Sequence, residues 1–304
     1  MKCLVIGQSG QLARAIKDEA DQADVRAMFL NRTQCDLSRS AAHVRSALLP
    51  HIGDIDAIII AAAYTHVDDA EADYDKALAV NGHAPGVIAA TAAAANLPVI
   101  HLSTDYVFDG KADHPYTPDM PICPVNAYGR SKAIGEAALR SAQPESAILR
   151  TSWLFGATGQ NFLTTMLRLG AERSVVRVVS DQIGRPTYVH DLARACLTVM
   201  QDLVMKRAEA SGVFHVTNTG PPISWADFAK AIFAATPHMR NRSVHVEPIP
   251  SSEYPTAASR PAYSVMDTER FQTTFDFVLP DWQSGLRRAL AHYATAADSA
   301  QDRS

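Results

Sequence analysis

The chain of 304 residues lacks the marks of several protein classes. Its four cysteines, Cys3, Cys35, Cys123 and Cys196, lie far apart, with no CxxC pair and no histidine cluster beside them. That scarcity argues against a metal site or a disulfide framework, and it suits a reducing cytoplasm, the compartment expected for the chain. An excess of basic charge is also missing. Lys and Arg number 28 against 32 Asp and Glu, a formal net charge of −4, which leaves no electrostatic footprint for a nucleic-acid backbone. Nucleic acid is therefore not expected as a partner. Long apolar runs are absent as well: the stretches at 58–63 and 88–95, the second broken by Thr91, are far too short to cross a bilayer. Glycines at 7 and 10 interrupt the opening MKCLVIGQSG before a signal-peptide core forms, so it reads as a first β-strand. No repeat or low-complexity tract stands out beyond an enrichment in alanine, a good helix former.

Short β-branched runs at 3–6, 25–30, 57–60, 99–103, 147–150 and 175–179 alternate with helical patterns at 11–20, 84–95 and 127–141. This alternation predicts an α/β protein with a doubly wound parallel sheet of the Rossmann type. After about residue 150, Pro and Gly punctuate shorter elements, which predicts a smaller C-terminal α/β lobe for substrate. The expected division is a NAD(P)-binding domain over 1–150 to which about 175–217 returns, and a substrate lobe from 151–174 and 218–295. Ser224 suits the N-cap of a helix through 234, and Asp281 the start of a last helix through 293. The small, polar tail 296–304 predicts disorder.

The turn Gly7-Gln-Ser-Gly10-Gln-Leu-Ala13 follows the first strand and opens the first helix, where backbone N–H groups and the helix dipole suit a pyrophosphate. Gly7 permits the turn, Gly10 permits close approach, and Ala13 replaces a third glycine. Tight strand-to-helix turns also need glycine for conformational reasons alone. Past the second strand, Asn31-Arg32 stands where an acidic residue would hold a ribose 2′-hydroxyl, so Arg32 suits a 2′-phosphate and NADPH over NADH; a solvated loop arginine is the plain alternative. Asp36 and Leu37 offer a carboxylate and an apolar contact to an adenine.

Tyr128-Gly-Arg-Ser-Lys132 puts a phenol and an ammonium one helical turn apart. The cation is expected to favour the phenolate and lower the tyrosine pKa from about 10. Reducing a ketone needs a hydride at carbon and a proton at oxygen, which a poised phenol beside a nicotinamide provides. The strand at 99–103 ends in Ser103-Thr104-Asp105-Tyr106, the carboxyl end at which functional groups of doubly wound folds gather. Thr104 is placed to hydrogen-bond a substrate carbonyl. Thr104 and Asp105 also suit turn or cap roles, and a YxxxK pair recurs on ordinary amphipathic helices.

Together with Ala61-Ala-Ala-Tyr-Thr-His-Val-Asp68, Ala70-Glu71, Ser103-Thr-Asp-Tyr-Val-Phe-Asp-Gly110, Arg150-Thr-Ser-Trp-Leu-Phe-Gly156, Asp181-Gln-Ile-Gly-Arg-Pro-Thr187 and Ser259-Arg-Pro261, these motifs resemble the extended short-chain dehydrogenase/reductases. Within them the chain is most similar to the dTDP-4-dehydrorhamnose reductase family, over nearly its whole length. The resemblance implies NADPH-dependent reduction of the C4 ketone of dTDP-4-dehydro-L-rhamnose, with NADH possible as cofactor. It implies Thr104, Tyr128 and Lys132 as catalytic residues, the last two also touching cofactor. Gly7, Gly10, Gln11, Leu12, Asn31, Arg32, Asp36, Leu37, Ala62, Ala63, Tyr64 and Thr65 would line the cofactor. Val67, Thr104, Asp105, Tyr106, Trp153, Asn161 and Arg260 would line a dTDP-linked 4-ketosugar, with Trp153 as a flat surface and Arg260 as a diphosphate clamp. Two departures stand out. Tyr64 replaces a usual His, and Ala15, His190 and Asp191 stand where some relatives bridge a dimer through glutamate-held magnesium, so no metal is expected and the oligomeric state stays open. The dehydratases of the same fold need an acid immediately after Thr-Asp, where Tyr106 stands. The alternatives are a ketoreductase for another dTDP-deoxyhexulose, and a noncatalytic NADP-binding subunit resembling the regulatory partner of methionine adenosyltransferase.

Overall fold

The computed structural model describes residues 1–237 and 243–301. Five strands come from the first half of the chain: β1 (Lys2–Ile6), β2 (Arg26–Leu30), β3 (Ala57–Ile60), β4 (Val99–Thr104) and β5 (Ala147–Thr151). A sixth, β6 (Gly212–His215), is added from far downstream. The order β2-β1-β3-β4-β5-β6 is parallel throughout. Strand order reverses between β1 and β3, and the carboxyl ends on either side of such a switch point frame a ligand crevice.

Both faces of the sheet are covered, which is why its strands read as continuous apolar runs. Cys3, Val5, Ile59, Leu149 and Phe214 point to one face and Leu4, Ile6, Ile58, Ile60 and Ile148 to the other, all buried. The first face packs on α1 (Gln11–Gln22) through Leu12, Ala13 and Ile16, and on the later helix Val189–Val204. The second packs on α2 (Ala41–Leu48) and α3 (Ala84–Ala93) through Val44, Leu48 and Ile88. A long helix, α4 (Ala127–Ala142), carries the YxxxK pattern and lies beside α3 and β4.

The downstream half departs from the sequence reading in two places. The strand Val175–Val179 does not return to the large sheet but pairs in parallel with His245–Ile249, forming a separate two-stranded sheet. Of the stretch 175–217, β6 joins the large sheet and the helix Val189–Val204 packs on its first face. The tail, for which composition predicts disorder from 296, continues the helix Trp282–Gln301, and 302–304 lie outside the described residues. Ser224 does cap its helix, accepting from the Asp227 N–H at 3.0 Å, and Asp281 accepts from the Ser284 N–H at 2.7 Å.

Candidate active site

The crevice begins at Gly7, whose φ of +113° is one that residues with a side chain rarely adopt; a Cβ there would also lie 3.1 Å from the Ala62 nitrogen. The turn is pinned by the Gly7 N–H to the Leu30 carbonyl at 2.9 Å and by the Ala62 N–H to the Ile6 carbonyl at 2.7 Å. Gly10, extended, precedes α1 with no side-chain cap, and no acidic residue occupies the first turn. The helices that follow Ser40, Asn126, Asn161 and Ser224 are each capped by that side chain. The first N–H groups of α1 are therefore left without an internal acceptor, and a Cβ on Gly10 would meet nothing within 4 Å. The Gln11 Oε1 is buried without a partner. Open space and free backbone donors at one helix start fit a bound pyrophosphate.

Around the second strand the loop is self-contained. The Asn31 Oδ1 accepts from the Thr33 and Gln34 N–H groups at 3.0 and 3.1 Å. Asp36 is held by the Ser38 hydroxyl at 2.7 Å, the largest of the contacts that keep its carboxyl below the usual range. Arg32, with 72% of its side chain exposed, lies 3.6 Å from Asp36, so its guanidinium is only loosely engaged. The Leu12 and Leu37 side chains are buried, each in one of the two core clusters. Past β3, Ala62, Ala63 and Tyr64 are half-buried and Thr65 exposed. The Tyr64 backbone is gripped by Asn81, which accepts from its N–H at 2.9 Å and donates to its carbonyl at 3.0 Å.

The helix α4 carries Tyr128 and Lys132, two of the three residues expected to be catalytic. Asn126 caps it through the Gly129 N–H at 2.8 Å, and Glu71 accepts from the Ala127 N–H at 2.7 Å. Gly129 lets it approach the strand end so closely that a Cβ would sit 2.1 Å from the Tyr106 carbonyl oxygen, an impossible contact. Thr104, Asp105, Tyr128 and Lys132 are thereby gathered and buried. The Thr104 hydroxyl donates to Asp105 Oδ1 at 3.0 Å, accepts from the Tyr106 N–H at 3.2 Å and meets the Tyr128 phenol. Tyr106 packs edge-on against Tyr128 with ring centroids 5.7 Å apart. The Lys132 ammonium donates to the Leu102 carbonyl at 2.5 Å.

The electrostatics correct one expectation. Lys132 does not lower the Tyr128 pKa in the free protein; burial first, and then the nearby Asp105, push the phenol well above its ordinary value. The two residues lie one helical turn apart, but the ammonium turns to Leu102 and the phenol to Thr104. Burial also draws Lys132 down to about 8. Tyr128 is thus a neutral phenol near neutrality, the form that can give a proton.

Asp105 is raised from 3.8 to about 6 by burial, against hydrogen bonds from Ser264 and Thr104. The native carboxyl takes its proton below about 6 and the unfolded one only below 3.8, so stability rises as the pH falls across that window. Asp105→Asn, which keeps an acceptor for Thr104, is expected to raise the melting temperature by about 5 °C near pH 8 and to change it little near about pH 4. Equal shifts at both pH values in a calorimetric scan would contradict this.

On the substrate side, Val67 joins Tyr64, Tyr74, Tyr106 and Tyr128 in one apolar cluster. Trp153 has a φ of +48° and stacks on Trp225 at 3.5 Å, so one face of its ring is already covered. Arg260 forms a two-pronged ion pair with Asp68 at 2.6 and 3.2 Å. Asn161 is an N-cap whose amide donates to the Gly156 and Thr158 carbonyls at 3.0 and 3.3 Å. Its polar atoms are spent on its own loop, unlike those expected of a substrate contact. Asn126 also donates to the Ser259 carbonyl at 2.8 Å, tying α4 to the segment that carries Arg260.

The family model for the RmlD substrate binding domain matches residues 1–295. The chain belongs to the RmlD family. It is 40% identical to the dTDP-4-dehydrorhamnose reductase of Sinorhizobium fredii over 95% of this chain and 96% of that one. To that of Burkholderia thailandensis it is also 40% identical, over 93% and 96%. A crystal structure of dTDP-4-dehydrorhamnose reductase from Bacillus anthracis in complex with NADP superposes with a TM-score of 0.87 at 33% identity, covering 96% of this chain and 99% of that one.

In this RmlD family member, Ala15 is buried, His190 Nδ1 pairs with Glu19 at 2.8 Å, and Asp191 is held by Arg288 at 2.6 and 2.8 Å, by Arg194 and by Asn218. Among the described residues no group of three or more His, Cys, Asp or Glu is arranged to hold a metal ion. No helix among them is long and apolar enough to cross a membrane. Sequence reasoning missed several supporting residues: Asn81, Asn126, Ser264, and the buried Glu136–Arg150 pair, with contacts of 2.9 and 2.7 Å. A polar residue within an otherwise apolar strand, or an Asn just before a helical pattern, is the signal that could have found some of them.

Proposed function

We propose that the chain is an NADPH-dependent ketoreductase that converts dTDP-4-dehydro-L-rhamnose to dTDP-L-rhamnose. The observation that carries this reading is the buried Tyr128 phenol in contact with the Thr104 hydroxyl at the carboxyl end of β4, one helical turn from Lys132. Membership of the RmlD family supports the substrate class, and the uncapped start of α1 supports a dinucleotide.

When bound, NADPH would supply the hydride for the ketone carbon. Tyr128 transfers its proton to the C4 oxygen as charge develops there, and Thr104, turning its hydroxyl from Asp105, donates a hydrogen bond to the same oxygen. Lys132, as the ammonium, stabilises the phenolate left behind and holds the nicotinamide ribose. Gly10, Gln11 and the first turn of α1 bind the pyrophosphate, while Ala62, Ala63, Tyr64 and Thr65 border the crevice past β3. Arg260 engages the substrate diphosphate by exchanging Asp68 for it, and the half-buried Trp153 borders the nucleotide or sugar. Val67, Asp105 and Tyr106 shape the sugar pocket. Tyr106, edge-on to Tyr128, is no acid for water elimination, so reduction is favoured over dehydration.

Spectrophotometric assay of NADPH oxidation against dTDP-4-dehydro-L-rhamnose and other nucleotide ketosugars tests the reading. Oxidation with the rhamnose precursor is expected; oxidation with a different hexulose alone would reassign the sugar. Cofactor binding without turnover on any of them would favour the noncatalytic alternative. For cofactor choice, Arg32→Ala is expected to raise the KM for NADPH about tenfold while barely moving that for NADH. An equal change in both would remove the 2′-phosphate role.

A further inference from the structure

His101 lies within β4, 1% exposed. Its Nε2 is 3.4 Å from the Lys132 ammonium, whose other hydrogen-bonding partner among the described residues is the Leu102 carbonyl oxygen. An ammonium has three N–H donors, and a donor left bare in a buried site is costly. Leu102 takes one, which leaves two to be directed.

The imidazole beside it is kept neutral, first by burial and then by the Lys132 charge. A neutral imidazole has one acceptor nitrogen and one N–H. Facing an ammonium, the acceptor is Nε2, so the proton sits on Nδ1. That Nδ1 is buried and has no partner. The fold therefore leaves one donor unsatisfied while presenting an acceptor to Lys132. The nearby charged groups do not take its place: Glu136, one turn further along α4, is occupied by Arg150 and by the Ser103 hydroxyl at 2.5 Å. His215 on β6 lies against Arg150 at 3.5 Å and is held neutral, down at about 3.

We propose that His101 is a positioning residue for the reduction: its Nε2 accepts a hydrogen bond from Lys132 and, with the Leu102 carbonyl, aims the remaining N–H toward the crevice. The inference deepens the reductase reading, but its first test needs no turnover, so the two can fail separately. In the wild-type protein labelled with nitrogen-15 histidine, imidazole shifts assigned by comparison with His101→Gln are expected to show the Nδ1–H tautomer throughout the neutral range. An Nε2–H tautomer or an imidazolium would overturn the proposal.

The kinetic test compares His101→Leu, which removes the acceptor, with His101→Gln, which offers an amide oxygen. Losing an acceptor disfavours the ammonium, so His101→Leu is expected to move the basic limb of the kcat profile to lower pH and to cut kcat about tenfold. His101→Gln is expected to bring that limb back. A wild-type limb in folded His101→Leu, or no recovery with His101→Gln, would show that the histidine serves packing alone. If His101→Leu does not fold, the tautomer decides.

Discussion

Tyr128→Phe is expected to lower kcat by about 10²- to 10⁴-fold while leaving NADPH affinity nearly unchanged. The substitution removes one oxygen and keeps the ring, so the edge-on contact with Tyr106 persists. Lys132 does not depend on the phenol for its place, because the Leu102 carbonyl holds it. Burial and Asp105 keep the wild-type phenol protonated near neutrality, so the variant lacks the acid and not a nucleophile. Single-turnover NADPH oxidation, paired with a fluorescence titration of the cofactor, separates the two effects. Full activity in the variant would mean that the proton comes from elsewhere.

Glu136→Ala is expected to cost about 3–5 kcal/mol of stability, the largest effect predicted away from the reacting groups. Glu136 and Arg150 have side chains 5% and 4% exposed. The guanidinium also sits over Phe108 at 5.2 Å and has the Pro118 carbonyl as a weak second acceptor at 3.4 Å. Removing the carboxylate strands a buried cation and frees Ser103, which cavity water repays poorly. Replacing the two residues together, as Glu136→Leu with Arg150→Met, is expected to recover most of the loss, since desolvation of the pair offsets much of its attraction. Urea unfolding of the single and double variants measures both. A single variant within about 1 kcal/mol of wild type would show that the pair is hydrated in solution.

The layers of the fold were legible because parallel strands buried on both faces leave uninterrupted β-branched runs, as at 57–60, and because Gly7 and Ser224 carry conformational signals in their own chemistry. What escaped the sequence depends on partners distant along the chain. The strand Val175–Val179 has the right composition for the large sheet, yet its neighbour is His245–Ile249, some seventy residues away, and nothing local encodes that choice. The π-helical turn Leu78–His83, which brings Asn81 to Tyr64 and Ser131, has no periodicity to betray it. At the site, spacing conveyed that Tyr128 and Lys132 are neighbours but not how deeply they are buried, and burial decided the direction of the phenol shift. Arg260 and Asp68, 192 positions apart, illustrate the same limit: each charge is visible, and their pairing is not.

The late arrival of β6 constrains how the molecule is made. While the first 150 residues leave the ribosome, β5 is the outer strand, with one row of N–H and C=O groups lacking a strand partner. Its neighbour Gly212–His215 arrives only after the intervening helices and the strand Val175–Val179 have been synthesised. A truncated product ending before residue 212 would keep the glycine turn and the YxxxK helix, yet expose a parallel sheet edge able to pair with another nascent chain. The first 150 residues are thus not a module to be cut out alone. The last strand of their sheet belongs to the chain's second half, and completing the sheet is what commits both halves to one folding unit.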